Sequence, residues 1–95
     1  MNNSYEFDMI KRETGESLRD MARVTILVFA PDMVTAREKA IYQNRRNRWK
    51  CTPKLIDVKL DQLAWEPGKV MVGPDGEGIT VWYNNLAVGL RLRLQ

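Results

Sequence analysis

The sequence contains no histidine and a single cysteine, Cys51. Histidine is the commonest general base and the commonest transition-metal ligand, so neither a Ser-His-Asp nor a Cys-His catalytic site can be built from this chain alone. One cysteine allows no internal disulfide and, without histidine, no structural zinc site within one subunit. We therefore expect a protein that binds rather than catalyses, with no cofactor and no metal.

Long apolar runs are also absent. No segment approaches the ~20 apolar residues that cross a membrane, and the first residues lack the basic-then-apolar layout of a signal peptide. The 95 residues, 44% hydrophobic and 28% charged, have the size and composition of one globular domain. We expect a single α+β domain over residues 1–95, located in the cytoplasm, with no membrane partner.

The apolar pattern predicts one helix among several strands, in the order β-β-α-β-β-β-β. The expected helix begins at Ala30-Pro31-Asp32 and ends near Arg46–Asn47. With short turns after the helix, the sheet should be mostly antiparallel, with five to six strands and the helix on one face. The expected strands cover residues 5–10, 24–29, 56–61, 70–72, 79–83 and 86–94.

Side-chain faces follow from the same periodicities. The strand at 24–29 is apolar on both sides and should be central, paired with the first strand as a hairpin. Ile56, Val58 and Leu60 should form the buried face of their strand. The sheet face away from the helix would carry Leu27, Phe29, Leu55 and Trp82 and would need a second layer, a dimer or a partner. The apolar arc of the helix would carry Met33, Val34, Ala36, Ala40 and Ile41, whereas Lys39, Gln43, Arg46 and Lys50 would lie on the opposite arc.

Charge is concentrated in the middle of the chain. The net charge is +3, but residues 37–54 hold seven basic residues and one acid. Arginine binds phosphate or carboxylate at two points, and aromatic rings stack on bases or anchor interfaces. A solvated helix end, with Trp49 at the edge of the core, explains the same residues. The candidate partner-binding residues are Lys39, Tyr42, Arg45, Arg46, Arg48, Trp49 and Lys50, and Arg91 and Arg93 form a second basic pair.

Three weaker motifs have simpler explanations. Cys51 follows two cations that lower a thiol pKa, yet it also fits an incidental small residue between helix and strand. Pro31-Asp32 with Asp57-Val58-Lys59 resembles a metal-nuclease pattern, but Asp32 opens a helix instead of lying on a strand. The segment 73–78 has the glycines of a hairpin loop and lacks the ending of a phosphate loop.

The segment 24–40 resembles the strand, small residue, cap and alanine-rich helix of many short phage and prophage proteins. Some anti-CRISPR proteins of type I systems share this layout, followed by a basic stretch and antiparallel strands. The resemblance covers residues 24–83 and is carried by Ala30, Asp32, Ala36 and Ala40. It implies a host-interaction protein that blocks a nucleic-acid-binding machine, and it transfers no binding residues.

Two functions follow as expectations. The first is a small non-enzymatic inhibitor of phage type, which acts on a host defence protein or ribonucleoprotein complex through its basic helix end. The second is a module that binds nucleic acid directly, as a monomer or as a homodimer. Binding to phosphates weakens steeply as salt rises, so salt dependence distinguishes a nucleic-acid contact from a hydrophobic protein interface.

Overall fold

A computed structural model describes residues 2–22, 25–62, 69–72 and 78–81. The described residues form an α+β domain with one main helix, as the sequence predicts, and a short additional helix that the sequence did not indicate. The elements are β1 Asn3–Lys11, α1 Leu18–Ala22, β2 Ile26–Ala30, α2 Met33–Asn47, β3 Cys51–Lys59, β4 Lys69–Val72 and β5 Gly78–Val81. None of the helices in the described ranges has the length and apolar character needed to cross a membrane.

The strands form one mixed sheet in the order β3-β1-β2-β4-β5. β1 is antiparallel to both β2 and β3, and β5 is antiparallel to β4. β4, however, runs parallel to β2, so the expectation of an antiparallel sheet is only partly correct. β3 and β4 follow one another in the chain but are not neighbours in the sheet, because β4 lies on the side of β2 away from β1 and β3. The turn that Pro67-Gly68 predicts lies outside the described residues. The predicted strand 86–94 lies outside the described residues.

β2 lies in the middle of the sheet, as its continuous apolar sequence predicts. Its antiparallel register with β1 runs from Asn3 opposite Ala30 to Phe7 opposite Ile26. The predicted pairing of the first two strands is therefore confirmed, although α1 lies between them where a hairpin turn was expected. Central placement makes β1 and β2 the elements that hold the core.

The main core lies between α2 and the sheet. Phe7, Met9, Ile26 and Val28 are fully buried there, and Leu55 and Trp49 pack against them from the periphery. The face away from α2 also buries side chains, because Leu27 and its register partner Met71 are both buried. Leu27 thus lies on the predicted face but is buried there, whereas Leu55 packs against the core on the α2 side, so the prediction for Leu55 is wrong. Phe29 is half-buried, and Trp82 lies outside the described residues.

β3 differs from its prediction in both bounds and orientation. It begins at Cys51 instead of near Ile56, and it tolerates Pro53 because an edge strand need not donate every amide. A register shift opposite Glu6 and Phe7 marks a bulge. The expected buried face of this strand is therefore wrong: Ile56, Val58 and Leu60 are 40%, 37% and 68% exposed.

α2 has the predicted bounds but is rotated about its axis. Asp32 caps it by accepting the Thr35 amide at 2.8 Å, and this bond holds the pKa of the Asp32 carboxyl below its ordinary value. Val34 is exposed and Gln43 is buried, the reverse of the predicted arcs. The helix packs through Ala36, Ala40, Gln43 and Asn44, because the small alanines allow close approach to the sheet while the buried amides have hydrogen-bond partners.

Candidate basic binding surface

The end of α2 is closed by a left-handed residue. Arg48 has φ 56° and ψ 37°, and its amide donates to the Arg45 carbonyl at 3.2 Å. The Trp49 amide donates back to the Asn44 carbonyl, also at 3.2 Å. This is the Schellman pattern, in which glycine usually occupies the left-handed position. Lys50 also has a positive φ of 55°, so the chain reverses sharply between α2 and β3.

A buried amide fixes this reversal. The side-chain oxygen of Asn44 accepts the Cys51 amide at 2.8 Å, which ties the last turn of α2 to the first residue of β3. Trp49 is half-buried and packs against the core, while Arg48 and Lys50 on either side of it are exposed. The segment 48–50 therefore displays two cations around a partly anchored indole.

β1 brings further charge to the same place. Lys11 is the register partner of Cys51, and the Arg12 amide donates to the Lys50 carbonyl at 3.1 Å. Lys11 and Arg12 thus lie against the 48–50 segment, although more than thirty positions separate them in the sequence. The sequence analysis missed both residues, because only the pairing of β1 with β3 brings them there.

Two surface depressions flank the 49–51 segment. One, of about 230 Å³, lies beside Trp49, and the other, of about 250 Å³, lies beside Cys51. We define the basic surface as the cations that line them. These are Lys11, Arg48 and Lys50 at the first depression, and Arg12 and Arg45 at the second.

Most cations of the basic surface are exposed: Lys11 is half-buried, and Arg12, Arg45, Arg48 and Lys50 are exposed. Among the residues that line the two depressions, Glu13 is the one acid. In the part of the chain that the structure describes, Arg19 forms an ion pair with Asp8 at 3.7 Å. No member of the basic surface forms an ion pair with another described residue. Arg45 also complements the carbonyl end of the α2 dipole.

The other predicted site residues differ in how close they lie to this surface. Arg46 is exposed on the last turn of α2, and Tyr42, one turn earlier, is exposed as well. Lys39 lies farther back, with its Nζ 3.5 Å from the Phe29 carbonyl at the end of β2. Lys39 is thus directed away from the basic surface. Arg91 and Arg93 fall outside the described residues.

Cys51 has the surroundings of an inert thiol. Its side chain is buried, and this burial raises the pKa of the thiol, although the positive charges of Lys11 and Arg12 act in the opposite direction. The thiol also lies 3.4 Å from the Trp49 carbonyl. A buried, protonated thiol is a poor nucleophile, so the structure favours the packing interpretation of Cys51.

The two acids of the nuclease pattern, Asp32 and Asp57, each accept a hydrogen bond from a nearby backbone amide. Asp32 caps α2, and the Asp57 carboxylate accepts the Val58 amide at 2.9 Å. The described residues include no cluster of three or more potential metal ligands. Asp32 and Asp57 therefore each have a local structural role.

Arg48 offers a way to separate stability from binding. Arg48→Gly should stabilise the fold by about 0.5–1 kcal/mol, because glycine avoids the left-handed strain at the cost of a more flexible unfolded chain. Arg48→Ala removes the same charge but keeps the strain, so it should bring no such gain. Urea unfolding measures the difference. If both variants show equal stability, the backbone at position 48 is unstrained.

Comparison with known proteins returned no match for this chain among family models, curated proteins or solved structures.

Proposed function

We propose that this chain is a non-enzymatic binding protein that inhibits a nucleic-acid-handling complex of a host cell, in the host cytoplasm, through its basic surface. The observation that supports the proposal is the convergence of cations from β1, α2 and the 48–50 segment on one end of the domain. None of these cations forms an ion pair with another described residue. A protein inhibitor of this kind needs a rigid charged surface and no chemistry of its own.

The physical basis is electrostatic complementarity. Clustered positive charge accelerates encounter with an anionic site and sets the orientation of docking. The guanidinium groups of Arg12, Arg45 and Arg48 suit two-point contacts with carboxylates or phosphates. Trp49, held by the core on one side, adds an aromatic anchor at the edge of the charged area. Such a surface fits the anionic groove where a complex would otherwise hold nucleic acid, or the nucleic acid itself.

Direct binding of nucleic acid is the second candidate. The two depressions lie on either side of the 49–51 segment, and each is lined by arginine together with another polar or aromatic residue. Cations on both sides of an indole can hold successive phosphates while a base stacks on the ring. This candidate requires affinity for isolated DNA or RNA.

A capture experiment with matched variants tests the proposal. The tagged chain is incubated with bacterial lysate, with and without nuclease treatment, beside a variant in which Arg45, Arg48 and Lys50 are changed to Gln. We expect a specific protein complex to be captured after nuclease treatment by the native chain and not by the variant. Equal capture by the variant contradicts the proposal, since the basic surface would then be unnecessary.

Fluorescence anisotropy with labelled single-stranded DNA, double-stranded DNA and RNA distinguishes the second candidate. At low salt, direct binding would appear as an affinity that falls steeply as salt rises. Absence of binding to all three probes eliminates that candidate. If nuclease treatment abolishes capture and the probes bind, the inhibitor proposal is replaced by the nucleic-acid-binding one.

A further inference from the structure

The outer edge of β3 is protected unevenly along its length. In its first half, side chains from α2 occupy the backbone groups: Asn44 accepts the Cys51 amide, and Arg37 Nη1 donates to the Pro53 carbonyl at 3.3 Å. Proline in an edge strand also removes a donor that another strand would use. These contacts prevent a further strand from pairing beside residues 51–53.

The second half of β3 lacks this cover from α2. The Val58 amide is directed to a side chain instead of to the neighbouring β1, because it donates to the Asp57 carboxylate at 2.9 Å. Because this amide bonds a side chain and not the β1 backbone, Val58 and Tyr5 form a pair without mutual backbone hydrogen bonds, and the Val58 amide points toward the outer edge of the sheet. A carboxylate from the adjacent residue is an exposed and replaceable partner for an edge amide.

Apolar side chains are exposed along this same half of β3. Ile56 and Val58 lie in β3 and Leu60 lies in the turn directly after its last residue, so exposed apolar side chains recur at every second position. The other large apolar side chains exposed in the described ranges, Val34 and Tyr42, are on α2. An edge strand with exposed apolar residues favours association with another strand unless the protein prevents it.

We propose that a second copy of this chain pairs with the second half of β3, antiparallel and about a two-fold axis at Val58. In this register Val58 lies opposite Val58 of the second copy. Asp57 lies opposite Lys59 of the second copy, and Ile56 lies opposite Leu60 of the second copy. The sequence around Val58 is thus self-complementary in both charge and hydrophobicity, which is what an isologous contact requires.

The limits of the contact follow from the same strand. In the proposed register Pro53 would lie opposite residue 63, beyond the end of β3 at Lys59, so the protected half of the edge takes no part. Lys50 and Val58 are eight positions apart in the sequence, so the two basic surfaces would be separated by roughly 50 Å at about 3.3 Å per strand residue. Both would remain exposed. The proposal therefore does not depend on the proposed function.

Charge exchange across the axis tests the pairing. Sedimentation velocity is measured over increasing protein concentration for the native chain, for Asp57→Lys, for Lys59→Asp and for the double variant. We expect the native chain to dimerise and each single variant to raise the dimer dissociation constant by about ten-fold, because like charges then face each other. The double variant should dimerise as the native chain does, since opposite charges face each other again.

Two controls make the result decisive. Glu38→Lys changes an exposed charge on α2 by the same amount and should leave the dissociation constant unaltered. Circular dichroism on each variant shows whether it is folded. Val58→Cys gives a second, independent measurement of the pairing. Oxidation of this variant should form a disulfide between the two Cys side chains that face each other at the two-fold axis. A native chain that remains monomeric at every concentration overturns the proposal. A double variant as weak as the single variants also overturns it, because the register would then be different.

Discussion

Changing Lys11 and Arg12 to Gln is expected to weaken binding to the anionic partner as strongly as changing Arg45 and Arg48 to Gln. Each pair contributes one cation to each of the two depressions, so each double variant removes the same share of the basic surface. A charge-assisted contact contributes about 1.5 kcal/mol or more, which is roughly ten-fold in affinity per cation. We therefore expect a loss of about 100-fold for either pair.

Elution from a heparin column gives a measurement that does not require the partner to be known. Both double variants should elute at lower salt than the native chain, and the affinity for the captured complex should fall in parallel. The matched control changes Lys39 and Lys54 to Gln, which removes the same net charge from residues that do not line either depression. If the control elutes with the double variants, total charge governs binding and the basic surface has no special role.

The sequence predicts only some of the residues that form the basic surface. Arg45, Arg48 and Lys50 are close together in the chain, so a window of charge indicates them directly. Lys11 and Arg12 reach the same place through the pairing of β1 with β3, an interaction that local sequence does not specify. Lys39 belongs to the charged window but lies against the end of β2, because a helix separates residues along its axis as well as around it.

Predictions of the fold succeeded where the determinants are local. Asp32 and the left-handed turn at Arg48 limit α2 through contacts within a few residues, and the sequence places both ends correctly. The rotation of α2 was mispredicted because exposed Val34 and buried Gln43 reverse the usual polarity of a helix face. The parallel alignment of β4 with β2 was missed because strand order depends on long-range packing.

Phe7→Ala should be the most destabilising single substitution that we predict, at about 3–5 kcal/mol. Phe7 is fully buried in β1, opposite Ile26 of β2 and Leu55 of β3. Because hydrogen-bonded strands hold both neighbours in place, the cavity left by the ring cannot collapse fully. Domains of this size are stable by roughly 5–15 kcal/mol, so the variant should lose a large fraction of its free energy of unfolding.

Urea unfolding followed by circular dichroism measures this loss, and two matched variants show where it comes from. Phe7→Leu keeps most of the apolar volume, so it should cost less than Phe7→Ala. Leu60→Ala removes an apolar side chain that is 68% exposed, so its effect should stay within about 0.5 kcal/mol. The thermal midpoint of Phe7→Ala should fall by at least roughly 12 °C. A loss as small as that of Leu60→Ala would mean that the core between α2 and the sheet is not closed around position 7.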